Sequence, residues 1–291
     1  MNKLLTILLC ALCSVSLAAE PKAKDKESGT PGKPYTYKTP DGKEQQMEIY
    51  FPKDHDPAKS KVPGLILFHG GGWTGGTLDQ FRVACATFAS RGLVCATANY
   101  RLGDKRTCVT DAKSAIRWFK GHAAELGIDP NRIITGGGSA GGHISTLATL
   151  NPGLNDPADP KEIDTSVVAY IWFNPAFAPT DSKDSEIDVL KHLKADLPPA
   201  IAFFGDKDTW KKGWDVAYAK WKSLGVKTID LQIAPGQAHS FFNKEPWRTV
   251  TLIAADKFLV KNGLLKGEPT LQPPATGESL IPAPVKDPSF D

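Results

Sequence analysis

The residues Gly137-Gly138-Ser139-Ala140-Gly141 stand between a run of strand length at residues 132–135 and a helical pattern at about residues 140–150. A strand that becomes a helix within so few residues needs a sharp turn, and glycines on both sides permit the backbone angles and close packing it demands. Such a turn lifts the serine clear of the sheet. It also sets the Ala140 N–H at the start of the new helix, where it points toward negative charge that develops nearby. A glycine-rich turn with an incidental serine is the plain alternative, and the strand-turn-helix setting weighs against it. Phosphate cradling is the other use of glycines here, but the stretch has no Walker-type lysine and fits neither nucleotide-loop spacing.

The same alternation runs along the chain. Residues 35–39 and 45–51, joined by the turn signal Asp41-Gly42, predict a starting β-hairpin. Residues 62–68 form a continuous apolar run that suits a strand buried on both faces. A helix is predicted over 78–90 with Gly92 as its stop, then a strand at 93–99 and a helix over 109–126 ending at Gly127. Further strands are predicted at 167–173, 200–204 and 228–233, and helices at 210–224 and 247–261. Strand and helix units joined by short loops imply an α/β fold, with a mostly parallel central sheet covered by helices on both faces. No internal repeat or second compositional regime interrupts it, so one domain is expected over residues 35–265.

The flanks read differently. Residues 1–19, MNKLLTILLCALCSVSLAA, combine a charge at Lys3, a short apolar run and small residues at Ser16, Ala18 and Ala19, which is the pattern of a signal peptide. The run is too short to span a bilayer, so no stable membrane span is expected after its removal, and a secreted or periplasmic location follows. Residues 20–34 are charged and nearly free of large apolar groups and read as a disordered linker. Residues 266–291, with five prolines in the last nineteen positions, read as an extended or disordered tail laid along the surface.

With 41% hydrophobic and 23% charged residues the composition is that of a soluble globular protein. The net charge of +3 is spread along the chain, which argues against nucleic acid as a main partner. Past the leader three of the five cysteines remain, Cys85, Cys95 and Cys108. An odd count allows at most one internal pair, and the sequence leaves a Cys85 to Cys108 bridge open. Cys95 lies in an apolar run and reads as a small buried hydrophobe.

A second loop complements the first. His69-Gly70-Gly71-Gly72-Trp73 ends the apolar strand at 62–68, and its consecutive glycines leave backbone N–H groups uncovered. Those of Gly71 and Gly72 are candidates to complete an oxyanion hole with that of Ala140. A flexible loop is the alternative. His69 is read as holding this loop, and His143 as supporting the elbow from a helix position that cannot easily reach the serine hydroxyl. His55, His122 and His192 are read as solvated. No pair of histidines has metal-ligand spacing.

Four stretches together resemble the hormone-sensitive-lipase-like and bacterial acetyl-esterase branch of the α/β-hydrolases. They are His69 to Trp73; Asn99-Tyr100-Arg101-Leu102; Gly127-Ile128-Asp129-Pro130-Asn131-Arg132-Ile133; and Gly138-Ser139-Ala140-Gly141-Gly142-His143. The resemblance spans about residues 45–262 and is specific to the branch, not to one enzyme. It implies an α/β-hydrolase fold, a serine nucleophile at Ser139, and no cofactor. It places the acid in a G-x-x-D arrangement at Gly205-Asp206-Lys207-Asp208, where Asp208 is favoured and Asp206 is the rival. The base falls at His239, in Gly236-Gln237-Ala238-His239-Ser240-Phe241.

The activity so implied is acyl transfer from an ester to water. Relatives with deep lipid pockets carry a large amino-terminal cap or a long lid, whereas residues 151–166 and 175–199 are only moderate insertions. An open site and short acyl groups such as acetate are therefore expected, on a small-molecule or carbohydrate alcohol. Two other readings stay open: a secreted serine peptidase, and a non-catalytic ligand-binding protein on the same fold.

Overall fold

The computed structural model describes residues 29–283. The signal-peptide reading and most of the linker lie outside these residues. A nine-stranded sheet has the order β1-β2-β4-β3-β5-β6-β7-β8-β9. Its strands are β1 (Lys33–Lys38), β2 (Gln45–Tyr50), β3 (Val62–Phe68), β4 (Val94–Ala98), β5 (Ile128–Gly138), β6 (Ala169–Phe173), β7 (Ala200–Gly205), β8 (Ile229–Ala234) and β9 (Ile281–Pro282). From β4 across to β8 every pairing is parallel, while β1 with β2, β2 with β4, and β8 with β9 are antiparallel. The sheet therefore reaches into both flanks, taking Lys33 and Pro34 from the stretch read as linker and Ile281 and Pro282 from the tail.

The two faces of each strand feed two cores, because successive side chains point to opposite sides. On β3, Ile66 and Phe68 join one core and Leu65 and Leu67 the other. The first core is closed by α2 (Lys105–Gly121), α4 (Ala140–Leu150) and α5 (Lys211–Ser223); the second by α1 (Arg82–Ser90) and α6 (Trp247–Lys261). Trp172, Trp214 and Trp221 are fully buried in the first core, with ring centroids 5.6 to 5.8 Å apart.

Where prediction and structure part, local chemistry explains it. The helix expected over 78–90 opens as a separate 3-10 turn, Leu78–Phe81, before α1 begins. Helix α2 starts four residues before the expected 109, because the Asp104 side chain caps it by accepting from the N–H groups of Arg106 and Thr107. It breaks at His122 into α3 (Ala123–Leu126), which Gly127 ends at a φ of 65°. Strand β5 continues through the glycines to Gly138, since β6 pairs with it that far.

The three histidines read as solvated are each half-buried and bound to a backbone carbonyl: His55 to Leu126 O, His122 to Trp118 O and His192 to Ser185 O, at 2.8 to 2.9 Å. Cys85, Cys95 and Cys108 are all buried free thiols, and burial pushes each thiol up from its ordinary pKa, that of Cys108 to about 12.

A buried ionic knot ties α2 to the sheet edge. Asp111 accepts from the backbone N–H and guanidinium of Arg101 and from Lys38 Nζ at 2.8 to 2.9 Å. Burial alone would raise its carboxyl, but these cationic donors outweigh burial and hold it below the usual carboxylate range. A carboxylate with a depressed folded pKa contributes stability above its unfolded pKa and loses that contribution as pH falls through the folded value. Unfolding free energy is thus expected to stay level near neutrality and to fall steadily below about pH 4. Urea unfolding over a pH series checks this, and Asp111→Asn should flatten the acid slope.

Candidate active site

The C-terminal ends of the parallel strands bring the predicted residues together. Ser139, between β5 and α4, has φ 51° and ψ −115°, a conformation costly for a side-chain-bearing residue. Its neighbours hold it there. The Ser139 N–H donates to Phe173 O at 2.9 Å, and Ser139 O accepts from the N–H of Ala176 at 2.9 Å. Gly141 has to be glycine: a Cβ there would stand 1.9 Å from Phe68 O. This contact packs the elbow against the end of β3, from which the glycine loop departs.

His239, in the loop after β8, points Nε2 at Ser139 Oγ, 2.8 Å away, and Nδ1 at Asp208 Oδ2, also 2.8 Å away. Because a carboxylate only accepts, Nδ1 carries the proton and Nε2 is free to accept from the serine hydroxyl. Asp208, only 5% exposed, follows β7, and its Oδ1 accepts from the Trp210 N–H at 2.9 Å. Its rival Asp206 is exposed on the same turn. The His239 side chain is 24% exposed, so the line runs from a buried acid to an accessible nucleophile.

Asn174 also belongs to the site and was not singled out by sequence. Buried just after β6, it accepts from the Ser240 N–H through Oδ1 at 3.1 Å and sets Nδ2 3.5 Å from His239 Nε2. It thereby fixes the histidine loop. A lone asparagine after a strand carries no motif, and only its φ of 41° marks the position as unusual.

The glycine loop lies against the elbow, since a Cβ on Gly70 would be 3.2 Å from Ser139 Cβ. Gly71 and Gly72 have φ values of 120° and 62°, and a Cβ on Gly71 would be 2.2 Å from Gly75 O. The Gly70 N–H is taken by Gln80 Oε1 at 2.6 Å. Those of Gly71 and Gly72 donate to no carbonyl or side chain among the described residues. The Ala140 N–H opens α4. His69 holds the loop from below, with Nδ1 2.8 Å from Gly70 O, Nε2 2.9 Å from Asn99 Oδ1, and its ring stacked on Tyr100. Burial lowers its pKa from the ordinary histidine value.

Trp210, 37% exposed, flanks the histidine at 6.1 Å between ring centroids and Trp73 at 6.2 Å. Three cavities among the described residues are walled by residues other than Ser139 and His239. Among the described residues no cluster of three metal-ligating side chains occurs, and no helix is long and apolar enough to cross a membrane.

Comparison with known proteins identifies the family. The BD-FAE family matches residues 47–176. Apo esterase 2 of Thermogutta terrifontis superposes with a TM-score of 0.77 at 34% identity, over 82% of this chain and 97% of that one. The chain belongs to the α/β-hydrolase esterases. It is of the hormone-sensitive-lipase-like type that the motifs imply. Ethyl acetate hydrolase of Pseudomonas putida is 27% identical over 234 residues, covering 70% of this esterase and 73% of that enzyme. LipM of Mycobacterium tuberculosis is 32% identical over 201 residues, and this chain spans 46% of its length. Esterase 2 also exists in structures with propionate bound, with butyrate bound, and phosphorylated by paraoxon.

Proposed function

We propose that this ester hydrolase works through a Ser139–His239–Asp208 triad on short-acyl esters, acetyl esters foremost, and that its alcohol is a polar or sugar group. The hydrogen-bonded line from Asp208 through His239 to Ser139 carries the proposal. As Ser139 Oγ bonds to the ester carbonyl carbon, its proton passes to His239 Nε2, and Asp208 stabilises the resulting imidazolium. The carbonyl oxygen becomes an oxyanion, which the N–H groups of Gly71, Gly72 and Ala140 receive. Collapse breaks the bond to the alcohol oxygen, which takes the proton from His239. Water then repeats the sequence on the acyl-enzyme and frees the acid.

Short acyl groups are favoured because the insertions at residues 151–166 and 175–199, which would have to form a lid or a deep acyl pocket, are only moderate in length. Propionate and butyrate on esterase 2 are acids of that size. The polar alcohol is supported by a groove of about 690 Å³ beside the glycine loop, bordered by Gly76, Thr77, Asn99, Arg101, Asp104 and Lys43. The exposed Trp210 next to His239 offers a face for a sugar ring. Export is the matching location, carried by the leader pattern of residues 1–19.

Hydrolysis of p-nitrophenyl esters from acetate to octanoate, set beside acetylated xylo-oligosaccharides, tests the reading. Rates should fall with chain length, and Trp210→Ala should raise KM for the oligosaccharides far more than for p-nitrophenyl acetate. Faster turnover of octanoate than of acetate would contradict the short-acyl assignment. Equal KM changes on both substrates would contradict the sugar face.

A further inference from the structure

The nucleophile and two of the three oxyanion donors come from different segments of chain, and one buried side-chain pair joins those segments. Ser139 opens α4, whereas Gly71 and Gly72 belong to the loop after β3, which Trp73 follows directly. The Trp73 indole N–H donates to His143 Nδ1 at 3.2 Å. His143 lies one turn beyond Ser139, and its backbone N–H donates to Ser139 O at 3.2 Å. The histidine ring is fully buried, and Nε2 lies 2.9 Å from Ile187 O. A carbonyl on one nitrogen and an indole N–H on the other fix the tautomer: Nε2 carries the proton and Nδ1 accepts.

Trp73 is held on its other sides as well. Its backbone has a φ of 63°, and Trp73 O accepts from the Gly103 N–H at 2.8 Å. The Lys105 ammonium sits 3.6 Å from the ring centroid and pairs with buried Asp181. The Asp181 Oδ2 in turn lies 3.3 Å from His143 Nε2, without the alignment of a hydrogen bond. The triad has no use for His143, because His239 already occupies the position of the base.

We propose that His143 is a positioning residue: through Trp73 it sets where the Gly71 and Gly72 N–H groups stand relative to Ser139 Oγ. The proposal rests on the oxyanion assignment above. Three variants separate this role from simple packing. Trp73→Phe keeps the ring over Lys105 and removes the donor. His143→Leu fills the space and removes the acceptor. His143→Asn keeps an acceptor near the Nδ1 position while losing the bond to Ile187 O.

Active sites are counted by fluorophosphonate titration, kcat and KM are measured on p-nitrophenyl acetate, and Ki is measured for a trifluoromethyl ketone, whose adduct places an oxyanion in the hole. Trp73→Phe and His143→Leu should lower kcat by about 10- to 100-fold, the scale of a small misplacement at a reacting centre. KM should hold within about 3-fold, and Ki should rise by the factor by which kcat/KM falls. His143→Asn should retain more activity than His143→Leu even if its melting temperature is no higher. Variants that melt lower yet keep wild-type kcat and Ki per titrated site would overturn the proposal. So would a loss confined to KM. Failure of the acetyl-ester reading shows in the wild type, whereas failure of this one shows only in the kcat, KM and Ki values of the variants.

Discussion

Ser139→Ala is expected to lower kcat on p-nitrophenyl acetate by about 10⁶-fold, the order seen when the nucleophile of a catalytic triad is removed. Among the described residues the hydroxyl's side-chain hydrogen bond is the one to His239, so no other polar contact among them is lost. Alanine meets the positive φ of the elbow at much the same cost as serine, and the flanking glycines that make the turn are untouched. The melting temperature should therefore shift by no more than about 3 °C, the scale of a surface-level change in stability. Rate loss without unfolding is the signature that assigns chemistry to the hydroxyl. The residual rate above water would come from the oxyanion donors and from binding.

Asp208→Asn is expected to cost about 10⁴-fold in kcat, and the hydrogen bonds around the carboxylate show why. Oδ1 accepts from the Trp210 N–H, so in the asparagine variant the carbonyl oxygen must keep that position and the NH2 must take the place of Oδ2. A donor then faces His239 Nδ1. The imidazole answers by moving its proton to Nε2, where it confronts the serine hydroxyl instead of accepting from it. Asp206→Asn is the control. Its side chain is exposed and outside the hydrogen-bonded line, and its kcat should stay within about 3-fold of wild type, as for surface substitutions generally. Equal losses in the two variants would refute the assignment of the acid.

Helix α4 was legible because its start coincides with a strong local signal, the glycine elbow, and α6 has the bounds its pattern predicts. The start of α2 was not, since its first turn is polar and its cap, Asp104, lies upstream of the apolar stripe. Strand β9 carries no strand signature in Ile281 and Pro282 and exists through pairing with β8, a tertiary fact. In the site, Ser139 and the glycine loop were readable from residue chemistry, while Asp208 and His239 needed a family resemblance, because one aspartate or histidine in a loop looks like another. Asn174 escaped altogether. Trp73 and His143 were visible as motif neighbours, but their link across 70 positions is set by the packing of the elbow on β3, which local sequence does not encode.

The most direct test is covalent: treat the folded protein with an organophosphate such as paraoxon and map the adduct by mass spectrometry of its peptides. One adduct per chain on Ser139, absent in Ser139→Ala and strongly slowed in Asp208→Asn, is the predicted result. A folded protein that remains unlabelled, or an adduct on any other residue with Ser139 unmodified, would contradict the assignment of Ser139 as the activated nucleophile.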